Sequence, residues 1–150
     1  MGNRAVIAIK QKNIEIANTP CIYLHWNGGR DSVEGFLETH HKLGMRGAED
    51  ATYALARLTQ IIGNALGGEL SVGVGIYSQL DTDNYDNGVY WLDNVDGKLQ
   101  IVFMDSLELN REFKDTTRDI QKLYIKICNE SESKTGLLDA LLTIAKKRGI

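Results

Sequence analysis

Leu70-Ser71-Val72-Gly73-Val74-Gly75-Ile76-Tyr77 alternates strictly between two classes of residue. Leu70, Val72, Val74 and Ile76 fall on one side, and Ser71, Gly73, Gly75 and Tyr77 on the other. A two-residue period is the mark of a strand. Just upstream, Ala51, Ala54, Leu55, Leu58, Ile61, Ile62 and Ala65 recur at three and four residues, which is the mark of an amphipathic helix. Gly67-Gly68 separates the two patterns. Side by side, they predict an α+β fold with a mainly antiparallel sheet of about five or six strands. The serine-and-glycine side of the strand leaves room for a helix, a neighbouring subunit or a ligand.

Working outward, Arg4 to Ile9 reads as a strand, and Ile14-Glu15-Ile16 as a short antiparallel return. Cys21 to Trp26 is a further strand, with Pro20, the only proline, just before it. It runs into Asn27-Gly28-Gly29, and a helix follows from about Ser32 to Leu43. Asp31 is its expected N-cap, Glu34 closes a capping box, and Gly44 ends it. Two helices are thus expected over about 31–66. Residues 70–104 read as a meander, with a polar loop at Ser78–Asn87 and strands at Gly88–Leu92 and Leu99–Met104. A helical extension over about 112–148 follows a core of residues 1–111, all in one domain.

Composition bounds the function. The 150 residues are 43% hydrophobic and 25% charged, with a net charge of −3. That fits a globular protein and argues against a non-specific binder of duplex nucleic acid. The amino terminus has no apolar run of signal-peptide length, and no segment approaches a membrane span. Cys21 and Cys128 are too few and too far apart for a metal or disulfide framework. Both read as small buried groups in a reducing cytoplasm.

Catalytic signatures are weak. His25, His40 and His41 lack metal-ligand spacing, and neither a GxSxG nor a Walker A motif is present. The loop from Asp81 to Leu92 fails as an EF-hand, because Asp86 and Leu92 stand where glycine and glutamate are required. No cofactor and no metal are expected. What remains is a set of recognition groups. Gly28 and Gly29 allow a close approach to the backbone. Arg30 stands at the mouth of that turn, beside the free N–H groups of a helix start, which suits a phosphate. A plain strand-to-helix turn with a solvated arginine is the alternative. Arg30 and Arg111 can fork onto phosphates, and Tyr77 and Tyr85 can stack on a base. Asn84, Asp86 and Asn87 can read a base edge or ribose hydroxyls. The stripe Tyr53, Arg57, Gln60 and Asn64 is either a solvated helix face or a surface for a symmetry mate or anion.

Four stretches carry a resemblance: Met1-Gly2-Asn3-Arg4-Ala5-Val6, Tyr23 through Leu37, Ala56 through Asn64, and Leu80 through Tyr90. Together they resemble the small phage proteins that defeat Thoeris immunity by sequestering its signal, a cyclic ADP-ribose isomer. The resemblance covers roughly residues 1–104. It implies a non-catalytic sponge in the cytoplasm of an infected bacterial host, trapping glycocyclic ADP-ribose intact. It further implies a homo-oligomer, dimers assembled into hexamers, with the signal in a recess between protomers. Some members also trap the cyclic di- and trinucleotides of CBASS defence. Carried onto this chain, the ligand residues are Arg30, Tyr77 and Asn87, with Arg111 as the second phosphate arginine and Arg57 for a trinucleotide. The competing readings are an enzyme that cleaves such a signal with a loop carboxylate as general base, and an inhibitor that binds a host defence enzyme.

Overall fold

The computed structural model describes residues 2–66, 71–105, 137–147 and Gly149. Five strands form one sheet: β1 (Ala5–Ile9), β2 (Pro20–Leu24), β3 (Val72–Ile76), β4 (Val89–Val95) and β5 (Lys98–Asp105). Helices α1 (Arg30–Lys42), α2 (Ala51–Leu66) and the shorter α3 (Leu137–Lys147) are the α-helices among the described residues. The fold is α+β, and the sheet is mostly antiparallel in the order β3-β2-β1-β4-β5.

The single parallel pair, β1 with β4, corrects the expected meander. Tyr77 to Gly88 crosses one face of the sheet, so β4 lands beside β1 and not beside β3. The same arrangement explains why Ile14-Glu15-Ile16 is not a strand. Both edges of β1 are taken, by β2 and β4, and Ile16–Asn18 instead forms a 3-10 turn. The β4–β5 hairpin closes through Asp96 and Gly97, both at positive φ, as a two-residue turn of this hand requires.

The core lies between the sheet and the helices. Ile7, Ile9, Ile22, Leu24, Tyr90 and Leu92 of the sheet meet Val33 and Phe36 of α1 and Leu58, Ile61 and Ile62 of α2. A smaller cluster occupies the opposite face. Val6, Ala8, Cys21 and Val89 are covered there by Tyr23, Tyr77, Leu80 and Trp91. Leu80 lies over Gly75, 3.0 Å from where a β-carbon would sit, so the polypeptide fills part of the space that the small residues leave. β3 is an outer strand of the sheet.

Helix α1 starts earlier than the capping-box reading places it. Gly29 is the N-cap with extended backbone, Arg30 is the first helical residue, and no side-chain cap is formed. Asp31 is instead buried in the first turn, where a carboxylate faces the positive end of the helix dipole. The helix ends as the sequence predicts. Gly44 takes φ +64, with Gly44 N–H donating to His41 O and Met45 N–H to His40 O.

His40, only 1% exposed, sits in that last turn, and its Nε2 has no hydrogen-bond partner. Burial disfavours its charged form and lowers its pKa, outweighing a hydrogen bond with the Arg46 backbone. The unfolded chain therefore binds a proton that the folded chain resists. Stability is fully present above the ordinary histidine pKa of about 6.5. It is lost as pH falls from there toward the folded value. Urea denaturation at pH 7.5 and 5.5 should give a lower midpoint at the acid pH, and His40→Leu should flatten this difference. An unchanged difference in the variant would remove His40 as its source.

Candidate functional site

Three chain segments meet at one end of the sheet: the start of β1, the turn after β2, and the loop before β4. The turn after β2 is built by close packing. Asn27 takes φ +56, a left-handed conformation that asparagine tolerates. Gly28 N–H then donates to Asn3 O at 2.8 Å. A β-carbon on Gly28 would lie 2.7 Å from Asn3 O and from Ala5 Cβ. Gly28 therefore serves the fold by letting this turn press on β1. Gly29 caps α1 and delivers Arg30 into the first turn.

Arg30 projects along α1 toward β5. Its Nε donates to Glu34 Oε1 at 2.9 Å, and Nη1 lies 3.9 Å from Met104 Sδ. It lines a cleft of about 270 Å³ between α1, β5 and α3. Leu37, Leu99 and Ile144, all buried, give this cleft apolar surface. Charged and polar groups line it too: Glu34, Glu38 and His41 from α1, Lys98 and Gln100 from β5, and Lys147 from α3. Lys98 Nζ stands 3.8 Å from Glu38 Oε2. A cleft of this size is below the usual range for engulfing a drug-sized ligand. It can hold the anionic part of a nucleotide and leave the remainder at its mouth. The sequence reading missed Lys98 and Gln100. Nothing local marks them, because only the sheet order brings β5 beneath α1.

The acidic loop is a rigid scaffold. Asn84, fully buried, donates from Nδ2 to Asp81 O and Gly88 O, and its Oδ1 accepts from the Asp86 and Gly88 N–H groups. Arg4 Nε donates to Asp86 Oδ2 at 2.7 Å, and Arg4 Nη1 reaches Asp81 at 3.4 Å. Burial alone would raise the Asp86 carboxyl. The side-chain and backbone hydrogen bonds from Arg4 outweigh it and hold the group below the usual carboxylate range. A carboxylate held so is a poor general base at neutral pH. Asn87 is 1% exposed and donates to Asn3 Oδ1 at 2.6 Å and Arg4 O at 2.9 Å, so its amide ties the loop to β1. Its Oδ1 is a buried acceptor with no hydrogen bond. Tyr85 stands out from this scaffold at φ +59, 78% exposed.

The remaining predicted residues are dispersed. Tyr77 follows the far end of β3, on the sheet face away from the helices, and stacks on Trp91 with ring centroids 5.7 Å apart. Within one chain it does not share the cleft of Arg30. Arg57 lies on the exposed face of α2, donating to Gln60 Oε1 at 3.0 Å. Tyr53 on the same face has the Arg46 guanidinium over its ring at 4.7 Å. Arg111 lies outside the described residues, and of the helical extension expected over about 112–148 only α3 (Leu137–Lys147) is described. Burial pushes the Cys21 thiol up to about 12, so it stays protonated and unreactive.

A second groove, near the carboxyl ends of β1 and β4, carries Lys10 and Lys12 opposite Glu49 and Asp93. The Glu49 carboxylate accepts a hydrogen bond from the Asn94 amide there. Among the described residues, no group of three or more His, Cys, Asp or Glu side chains could hold a metal ion. No helix among them is long and apolar enough to cross a membrane.

Comparison of the chain with protein-family models, with curated proteins and with solved structures finds no match.

Proposed function

We propose that this protein binds a cyclic ADP-ribose-type nucleotide and holds it intact, as an anti-defence protein encoded by a phage. In this reading the signal is that of Thoeris immunity, with cyclic oligonucleotides of CBASS defence as further ligands, and the site of action is the host cytoplasm. The observation that carries it is the setting of Arg30. The Asn27-Gly28-Gly29 turn delivers an arginine to the first turn of a thirteen-residue helix, over a cleft with buried apolar residues. An arginine fork and an apolar surface together suit the phosphate end of a nucleotide.

The resemblance of residues 1–104 to the anti-Thoeris sponges adds the ligand class and the oligomer. A recess between protomers is also consistent with the dispersion of the predicted residues. Arg30 and Tyr77 are separated in one chain, and a symmetry mate can supply the second of them. The cleavage alternative receives less support, because Asp81 and Asp86 are engaged by Arg4.

Isothermal titration of the purified protein with glycocyclic ADP-ribose and with cyclic di- and trinucleotides tests this reading. Tight binding of glycocyclic ADP-ribose, by a species that light scattering finds larger than the 16.7 kDa chain, is expected. Failure to bind any of these nucleotides would remove it.

A further inference from the structure

We propose that Lys98 is a second cation of the Arg30 site, and that the two together recognise a pyrophosphate group. The proposal rests on the nucleotide-binding reading above and deepens it. Arg111, the sequence-based candidate for a second phosphate contact, lies outside the described residues. Lys98 lies in the same cleft as Arg30.

The geometry is set by two carboxylates. Arg30 Nε is 2.9 Å from Glu34 Oε1, and Lys98 Nζ is 3.8 Å from Glu38 Oε2. Glu34 and Glu38 are four residues apart on α1, so they stand one above the other, about 6 Å apart along the helix. Each pairs with the head of one cation, so the two positive charges are drawn to neighbouring positions along α1. Two phosphates joined through a shared oxygen suit such a pair, one to each cation. Two independent monophosphates would also satisfy the charges, but their mutual repulsion and separate loss of freedom make that arrangement weaker.

The carboxylates act as stand-ins for the ligand. All four side chains are neither fully buried nor fully solvated, with exposures of 25–40%. The pairs therefore order the cations without a large desolvation cost, and a more highly charged anion can displace the carboxylates. Leu37, Leu99 and Ile144 line the same cleft and exclude water around the exchanged contacts. A pair of purely structural surface ion pairs predicts none of the following binding effects.

The test uses cyclic ADP-ribose, which carries a pyrophosphate, and AMP, which has the same base and one phosphate. Calorimetry at fixed salt should show the wild-type chain binding cyclic ADP-ribose at least tenfold more tightly than AMP. Lys98→Met should weaken cyclic ADP-ribose by about five- to tenfold and leave AMP unchanged. It should also lower the dependence of cyclic ADP-ribose binding on salt. Glu38→Gln, which frees Lys98, should tighten cyclic ADP-ribose. Melting of each variant checks the fold, and an exposed pair of this kind contributes little to stability. Wild-type affinity for cyclic ADP-ribose in Lys98→Met, with affinity lost in Arg30→Ala, would overturn the role of Lys98 and leave the nucleotide reading standing. If the wild-type chain binds neither probe, the role of Lys98 falls, and the nucleotide reading falls with it only if glycocyclic ADP-ribose and the cyclic di- and trinucleotides also fail to bind.

Discussion

Gly28→Ala is expected to lower stability by about 1–3 kcal/mol, the cost of forcing an extra methyl into a packed site. The added β-carbon would sit 2.7 Å from Asn3 O, 2.8 Å from Ala5 N and 2.7 Å from Ala5 Cβ. Two of these three atoms are backbone, so no flexible side chain can swing aside. Ala5 is itself fully buried in β1, which pairs on both edges. The turn must therefore move, stretching the Gly28 N–H bond to Asn3 O. Asn3 also accepts from Asn87, so the disturbance passes to the loop before β4. For a chain of this size the loss corresponds to a fall in melting temperature of roughly 3–10 °C. Thermal unfolding followed by circular dichroism measures it. Unchanged melting in Gly28→Ala, with nucleotide binding lost, would return this glycine to the ligand-approach role that the sequence suggests.

Arg30→Ala is expected to weaken nucleotide binding by roughly ten- to a hundredfold, from the loss of a charge-assisted contact worth about 1.5–3 kcal/mol. The fold should persist. The residue's ion pair with Glu34 is an i,i+4 surface contact, and such pairs contribute about 0.3–0.5 kcal/mol. The cap of α1 is Gly29 backbone, which the substitution leaves alone. Arg30→Lys should restore only part of the affinity, because an ammonium cannot grip two phosphate oxygens in one plane. Full recovery with lysine would mean that a point charge suffices and that the fork has no role.

Local periodicity made much of this fold readable. The three-and-four spacing from Ala51 to Ala65 became α2, whose apolar stripe is buried, and the alternation through Ile76 became β3, an outer strand on whose apolar side Val74 stays exposed. Periodicity is silent about neighbours. The parallel pairing of Val6 with Val89 joins residues more than eighty positions apart, and nothing in either strand names the other. The meander was the natural reading of three strands in succession, and it failed because β1 was already waiting beside β4. The site shows the same division. Arg30 was visible from its glycines and its helix. Lys98 was not, because its partner Glu38 lies on an element sixty positions away. Gly28 was visible as a glycine, but the reason for it was not. Its conformation is ordinary, and the need arises from the approach of Ala5 and Asn3. Tyr77 was singled out for its place after a strand, yet its ring stacks on Trp91, which a linear pattern cannot foresee.

The central claim is that the nucleotide is held without being transformed, and recovery of bound ligand tests it most directly. Protein is incubated with glycocyclic ADP-ribose until free ligand is depleted, then denatured by heat, and the released nucleotide is analysed by mass and chromatography. The account predicts stoichiometric return of intact glycocyclic ADP-ribose, with depletion much reduced in Arg30→Ala. Release of a linear or hydrolysed product, accumulating beyond one equivalent per chain, would contradict it and establish turnover.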